Sequence, residues 1–243
     1  MANSVKHHHH IVYKRHWHML VTLLLIVVPI IFFLFFAEFT KITINTLFAD
    51  IGISLIRIAI AFFISIVLGW SLAVIFSKGK ISTVALPLFD VLQSVPTFAA
   101  LPLAVIYIGK NDSTVILFLV LAMLWPILFS VISSLKLIKN EYQEAVDIYG
   151  LKGFKRLRYF TFPASVPGLI TGSIVGLGEA WEAIIATEII IGMQTGLGPF
   201  FQSFSNNPKI TMFGILGVLM IIFAINKIFL LPLLDKSHSL VEE

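Results

Sequence analysis

The chain contains no cysteine, and only 12% of its 243 residues are charged. The absence of cysteine excludes disulfides, thiolate metal sites and cysteine nucleophiles. A content of 58% hydrophobic residues and a mean hydropathy of +0.98 exclude a soluble domain of this size. The net charge of +4 would suit a nucleic-acid partner, but the basic residues gather in particular loops, as membrane topology requires. The composition predicts an all-α, multi-pass protein that contacts membrane lipid and binds no nucleic acid.

Six apolar segments divide the chain into spans and loops. Each is long enough to cross roughly 30 Å of hydrocarbon as a helix. They cover residues 19–36, 47–77, 84–108 and 113–135, a fifth segment that starts near residue 162, and residues 210–234. We therefore expect about six transmembrane helices in one domain over residues 19–234, with short polar tails at 1–18 and 235–243.

The N-terminal tail holds six histidines, four of them consecutive at positions 7–10. Consecutive histidines lack a framework that fixes ligand geometry, so a polar tail with a tag-like or chance histidine run is the simpler interpretation. Metal binding by the run is the alternative. Elsewhere the sequence predicts no metal site.

The distribution of lysine and arginine predicts the orientation in the membrane. Two of the 17 basic residues, Arg57 and Lys227, lie within the spans. With the N-terminus in the cytoplasm, twelve of the others are cytoplasmic, and three, Lys41, Lys110 and Lys209, are outside. Cytoplasmic loops carry the excess of basic residues, so both termini are predicted to be cytoplasmic. Arg57 is expected to anchor its span by reaching the interface; a role in transport is the alternative.

The third segment is interrupted by three prolines, Pro87, Pro96 and Pro102. Each removes a backbone donor, and unpaired backbone groups at membrane depth must face protein or water. Pro96 lies near the midplane, where broken helices often bind or pass substrate in transporters. The polar candidates at this break are Gln93, Ser94 and Thr97. A kinked span whose prolines only shape packing is the alternative.

The fifth segment combines a small-residue stripe with three carboxylates. Gly168, Gly172 and Gly176 recur at four-residue spacing, which predicts a close approach to another helix. A straight helix to residue 191 would exceed the hydrocarbon thickness, so it either projects outward or breaks near residues 176–178. The carboxylates Glu179, Glu182 and Glu188 follow that point and are expected to need hydration or a protein partner.

The longest charged passage, residues 141–163, lies between the fourth and fifth segments and is predicted to be cytoplasmic. Tyr142, Ala145, Val146 and Tyr149 fall at i, i+3, i+4 and i+7, so they share one face of a two-turn helix. Glu141, Glu144 and Asp147 line another face. Gly150 can take the left-handed conformation that commonly ends a helix.

The spacing within this passage carries a family resemblance. Glu144, Ala145, Gly150 and Pro163 match the pattern E-A-A, x3, G, x9, I, x, L, P, and Val146, Phe160 and Phe162 are apolar substitutions in it. The pattern resembles that of binding-protein-dependent ABC transporter permeases. The resemblance implies a type I importer permease fold in which the loop 136–162 carries a helix that docks on a cytoplasmic ATPase.

Two further stretches resemble the nitrate/sulfonate/taurine branch of these permeases. They are residues 92–109 and 178–198, with Trp181, Glu188 and the run 196–198 at matching places. The chain is also similar to one half of duplicated anion-transport permeases. Glu179 and Glu182 depart from the branch, where these positions are usually neutral. The candidate pathway residues are Gln93, Ser94, Pro96, Thr97, Ser173, Trp181 and Glu188.

The resemblance also implies partners. Neither Gly-Lys pair, Gly79 with Lys80 or Gly109 with Lys110, has the context of a P-loop, so the chain binds no nucleotide by that motif and is not expected to be an enzyme. Two copies of an ATPase subunit would bind ATP and Mg. A second permease, identical or related, and an extracytoplasmic binding protein complete the importer in the inner membrane of a prokaryote.

The implied solute is small, with nitrate-, sulfonate- or taurine-like anions favoured. A secondary transporter or channel without an ATPase is the alternative; a membrane-embedded enzyme has no supporting motif.

Overall fold

The computed structural model describes residues 22–41, 43–77, 79–138, 140–230 and 232. The described residues form helices joined by turns, and no strand occurs among them, which confirms the all-α prediction. The predictions for the tails at 1–18 and 235–243, including the histidine run, concern residues outside this description.

Ten α-helices can be delimited in the described residues. They are α1 (Thr22–Thr40), α2 (Ile44–Phe76), α3 (Gly79–Gln93), α4 (Leu101–Ile108), α5 (Asp112–Lys136), α6 (Asn140–Ile148), α7 (Gly153–Arg156), α8 (Phe162–Ile191), α9 (Leu197–Ser203) and α10 (Pro208–Ile225). A 3-10 turn at Thr97–Ala100 precedes α4, and wider π-helical turns lie at Leu157–Thr161 and Asn226–Leu230.

Helix α5 is the centre of the bundle. Its most apolar window is 56% buried, against 17–28% for α1, α2 and α10. Buried side chains occur all around it, as expected for a helix that is apolar on every face and enclosed by neighbours. Most of this burial comes from α2 and α8, which pack directly against α5.

Helices α2 and α8 lie closest to α5. The stripe Gly168, Gly172 and Gly176 faces α5, and a Cβ on Gly172 would lie 2.6 Å from the Cα of Ile127. Such backbone contact is what small residues permit in membrane helices, where close packing replaces the hydrophobic effect as the driving force. Polar side chains add links between helices: Ser134 Oγ donates to the carbonyl of Ala164 at 2.9 Å.

Aromatic side chains form a second layer from α1, α9 and α10. The rings of Phe36 and Phe200 lie 6.1 Å apart between centroids, and those of Phe39 and Phe213 lie 6.2 Å apart. A Cβ on Gly217 would lie 2.6 Å from Cζ of Phe33. Glycine on α10 thus makes room for the phenylalanines of α1.

Among the described residues, four helices, α1, α2, α5 and α10, are long and apolar enough to cross a membrane. The pair α3 and α4 adds a fifth span if it is counted as one, and it is bent by 73°. The bend lies at residues 94–96 and includes Pro96, where the sequence predicted that the helical hydrogen bonds are interrupted. Helix α8 is less apolar but has 30 residues and runs beside α5. Each of the six predicted segments therefore has a helical counterpart.

Helix α8 does not break near residues 176–178 but continues to Ile191. Its helical run also begins earlier than predicted, because α7, the π turn and α8 follow one another without a gap from Gly153. Pro163 is accommodated within this run rather than at its start. The N–H of Phe162 bonds the carbonyl of Leu157, five residues earlier. This wider turn directly before Pro163 gives space to a ring that would otherwise crowd the preceding carbonyls.

Candidate functional site

Helix α6 presents most of its apolar side chains to solvent. Tyr142 is 58% exposed, Ile148 84% and Tyr149, the first residue after the helix, 82%, whereas Val146 is buried against the protein. Ala145 is half-buried, and Glu144 is exposed. The predicted apolar stripe is therefore divided: Val146 holds the helix to its own chain, and the two tyrosines remain uncovered.

The C-terminus of α6 is fixed by its backbone. Gly150 has φ +65°, its N–H bonds the carbonyl of Asp147 at 3.1 Å, and the N–H of Leu151 bonds the carbonyl of Val146 at 3.1 Å. These two bonds form a Schellman motif, which requires a left-handed residue at the position of Gly150. A salt bridge of 2.8 Å between Arg156 and Asp147 then joins α6 to α7. The chain thus leaves α6 at a defined angle.

The candidate pathway residues fall into two groups that the structure does not bring together. Gln93, Ser94 and Pro96 are exposed at the bend between α3 and α4, and Thr97 is half-buried there. Ser173, Trp181 and Glu188 are buried on the inner side of α8. The hydroxyl of Ser173 donates to the carbonyl of Leu169, one turn earlier in the same helix. On α8 the exposed carboxylates are instead those of Glu179 and Glu182.

Glu188 belongs to a charge cluster that we call the Arg57 cluster, formed by Ser54 and Arg57 of α2, Asp112 of α5 and Glu188 of α8. Arg57 Nη1 lies 2.6 Å from Glu188 Oε1, and Arg57 Nη2 lies 2.6 Å from Asp112 Oδ1. Ser54 Oγ also donates to Glu188 Oε1 at 2.8 Å. Glu188 is 0% exposed and Arg57 4%. The cluster thus joins three helices through charged groups, of which Arg57 and Glu188 are buried and the Asp112 side chain is 65% exposed.

The same cluster holds the segment 192–198, which connects α8 to α9. The N–H groups of Gly196, Leu197 and Gly198 donate to Asp50 Oδ1, Ser54 Oγ and Glu188 Oε2, at 2.9, 2.9 and 2.7 Å. Arg57 Nη1 donates to the carbonyl of Thr195 at 2.9 Å. The first donors of α9 are therefore satisfied by side chains from α2 and α8.

Arg57, expected from the sequence to anchor its span at the membrane interface, is paired with two carboxylates of other helices. Its side chain is only 5% exposed and turns inward, because Asp112 and Glu188 offer two carboxylates within hydrogen-bond distance. Asp50, seven residues before Arg57 in α2, accepts a hydrogen bond from the N–H of Gly196. The sequence did indicate that Glu188 needs a protein partner. Ser54 and Asp112 carried no local signal, since they act through residues far away in the chain.

Within the part of the chain that the structure describes, no group of three His, Cys, Asp or Glu side chains is arranged to hold a metal ion.

One end of α8 follows the exposed helix α6, and the other end is held by the Arg57 cluster. At 1.5 Å per residue these ends are about 45 Å apart.

Comparison with known proteins identifies the family. A family model described as the inner membrane component of binding-protein-dependent transport systems matches residues 65–237. The chain belongs to this family. The match contains α6, Gly150 and Pro163, together with Asp112 and Glu188, while Ser54 and Arg57 precede it.

Several curated relatives are similar over the same part of the chain. A nitrate import permease protein of Synechocystis sp. is 30% identical over 159 residues, covering 65% of this chain and 58% of the relative. A taurine transport system permease protein of Escherichia coli is 28% identical with the same coverage. A bicarbonate transport system permease protein of Synechococcus elongatus is 28% identical over 148 residues, covering 60% and 53%. The chain spans between half and three fifths of the length of these relatives.

Proposed function

We propose that this chain is the transmembrane permease subunit of an ABC importer. The observation that carries the proposal is helix α6, whose tyrosines are exposed while its C-terminus is held by the left-handed Gly150. Exposed aromatic side chains on a helix whose C-terminus is fixed suit a partner that buries them. Because the chain belongs to a family of transport components, we identify this partner as a cytoplasmic ATPase.

The remaining parts of the importer follow from this proposal. The loop 136–162 lies in the cytoplasm, as do both termini, and the protein resides in the inner membrane of a prokaryote. Two ATPase subunits bind ATP and Mg and perform the hydrolysis, so the chain itself is not an enzyme. A second permease, identical or related, and an extracytoplasmic binding protein complete the assembly. The excess of basic residues on one side supports this orientation.

The proposed solute is a small anion, of the nitrate or sulfonate kind. The support comes from relatives whose names state nitrate, bicarbonate and taurine transport. The exposed Gln93 and Ser94 and the half-buried Thr97 at the bend of α3 and α4 offer hydrogen bonds to such a solute. The binding protein is expected to supply most of the selectivity.

Truncating both exposed tyrosines of α6, Tyr142→Ala with Tyr149→Ala, tests the docking assignment. Both side chains are largely exposed in the single chain, so their loss should leave its folding unchanged and weaken only the complex. We expect the affinity for the cognate ATPase to fall at least about tenfold, as for aromatic hot spots in interfaces. Co-purification with the ATPase and solute uptake by reconstituted vesicles measure the effect.

The matched control is Tyr107→Ala, since Tyr107 is 85% exposed but lies at the end of α4, away from α6. This variant should keep wild-type affinity for the ATPase. Unchanged affinity and uptake in the double α6 variant would show that α6 is not the docking helix. Uptake by the permease alone, without any ATPase, would support a secondary transporter or channel instead.

Neutralising Glu179 and Glu182 tests the charge of the solute. Both side chains lie on the exposed face of α8, where negative charge repels an approaching anion. If the solute is an anion that passes this face, Glu179→Gln with Glu182→Gln should raise nitrate or ethanesulfonate uptake by roughly two- to tenfold at low salt. Glu38→Gln, which changes an exposed glutamate of α1, is the control. A decrease in anion uptake would contradict the proposed solute class.

A further inference from the structure

We propose that Arg57 and Glu188 are positioning residues that hold the segment 192–198 in one conformation and make α2, α5 and α8 move as one body. The part of this inference that concerns transport rests on the proposed function. The part that concerns the conformation of the segment rests only on the contacts of the cluster.

Arg57 uses all three of its guanidinium nitrogens. Nε and Nη2 donate to Asp112 Oδ1 at 3.0 and 2.6 Å, and Nη1 donates to Glu188 Oε1 and to the carbonyl of Thr195. The planar guanidinium fixes the directions of these bonds, so α5, α8 and the segment 192–198 are held at defined angles to α2. A flexible or apolar side chain could not reproduce this geometry.

The segment depends on side chains for its shape. Residues 192–196 lie outside the helices. Three successive N–H groups, at positions 196–198, each donate to a different side chain, Asp50, Ser54 or Glu188. These bonds would be lost if α2 and α8 separated, because the acceptors belong to both helices. The conformation of the segment therefore reports the distance between α2 and α8.

A buried ion pair is a poor device for stability alone. Desolvation of the two charges can cancel their attraction, and apolar replacements of similar volume are often neutral or stabilising. Apolar residues, however, leave the N–H of Gly198 and the carbonyl of Thr195 without these partners. An apolar contact between α2 and α8 would lack the hydrogen bonds that Arg57 and Glu188 make to the segment 192–198.

Helix α8 extends this positioning to the other end of the molecule. It runs without a break for 30 residues, and the helical run that contains it begins at Gly153, directly after α6 and its turn. A displacement of α6 is thus carried along α8 to the Arg57 cluster. Because the cluster joins α8 to α2 and α5, the three helices would follow the displacement together.

The experiment uses the absence of cysteine, which allows a single label at Gln194→Cys in the full chain. Gln194 is exposed within the segment, so a nitroxide label there reports the mobility of the segment by electron spin resonance. The label is compared in the wild-type background, in Glu188→Gln, and in the double variant Arg57→Met with Glu188→Gln. Thermal unfolding and uptake with the ATPase are measured on the same proteins.

We expect the label to be immobile in the wild type and mobile in both variants. The double variant buries no unpaired charge, so its stability should return towards that of the wild type. Its uptake should nevertheless remain lower by roughly tenfold, a loss typical of broken coupling between sites. Ser65→Ala, which removes another buried hydroxyl from α2, is the control and should leave the label immobile.

Recovery of stability, label immobility and uptake together in the double variant would show a merely structural ion pair and overturn the proposal. An immobile label in both variants would overturn it as well. Failure of the proposed function is distinguishable, because the wild-type permease would then show no ATPase-dependent uptake while the label still responded to the variants.

Discussion

Gly172→Ala is expected to destabilise the protein by roughly 1–3 kcal/mol, because it forces apart the two most closely packed helices. The new Cβ would lie 2.6 Å from the Cα of Ile127 and 2.7 Å from the carbonyl oxygen of Pro126. Both contacts are with the backbone of α5, which cannot rotate away as a side chain can. Thermal unfolding of the purified protein in detergent measures the effect, and the unfolding temperature should fall by several degrees.

Gly178→Ala on the same helix is the matched control. Nothing among the described residues lies within 4 Å of the Cβ that this change adds. Alanine also has the higher helix propensity, so the control should be neutral or stabilising by up to about 1 kcal/mol. Equal effects of the two changes would show that the stripe on α8 does not face α5.

The packing of α5 against α8 illustrates which parts of the fold could be predicted from the sequence. Long apolar runs and the four-residue glycine spacing are local patterns, and they predicted the spans and a packing face. The bend at Pro96 and the helix α6 were predictable for the same reason. The continuity of α8 was not, since glycines that weaken an isolated helix cost less when a neighbour packs against their backbone.

The Arg57 cluster shows where local patterns cease to be informative. Arg57 lies 55 residues from Asp112 and 131 residues from Glu188, and only the packing of three helices brings them together. From the sequence, an arginine near the end of a span predicts an anchor at the interface. Similarly, the stripe of α6 predicted an apolar face, but only the folded chain shows that Val146 is covered and Tyr149 exposed.

Gly196→Ala is expected to destabilise the protein more than Gly192→Ala, the second glycine change considered in the segment 192–198. Gly196 has φ 122° and ψ 179°, a region that is essentially restricted to glycine and costs other residues about 1–3 kcal/mol. Its new Cβ would also lie 2.5 Å from Glu188 Oε2. That carboxylate cannot move aside without breaking its bonds to Arg57, Ser54 and Gly198. Disruption of a buried ion pair brings the expected loss of stability to about 3–5 kcal/mol.

Gly192→Ala separates the two causes of this loss. Gly192 has φ +75° and ψ 46°, so alanine is strained there by roughly 1–2 kcal/mol, but no described atom lies within 4 Å of its Cβ. Thermal unfolding of both variants should therefore show a small shift for Gly192→Ala and a shift at least twice as large for Gly196→Ala. Equal shifts would mean that backbone strain alone matters and that the Glu188 carboxylate is free to move. The difference between the two shifts measures how firmly Arg57 and its partners fix that carboxylate beneath the segment.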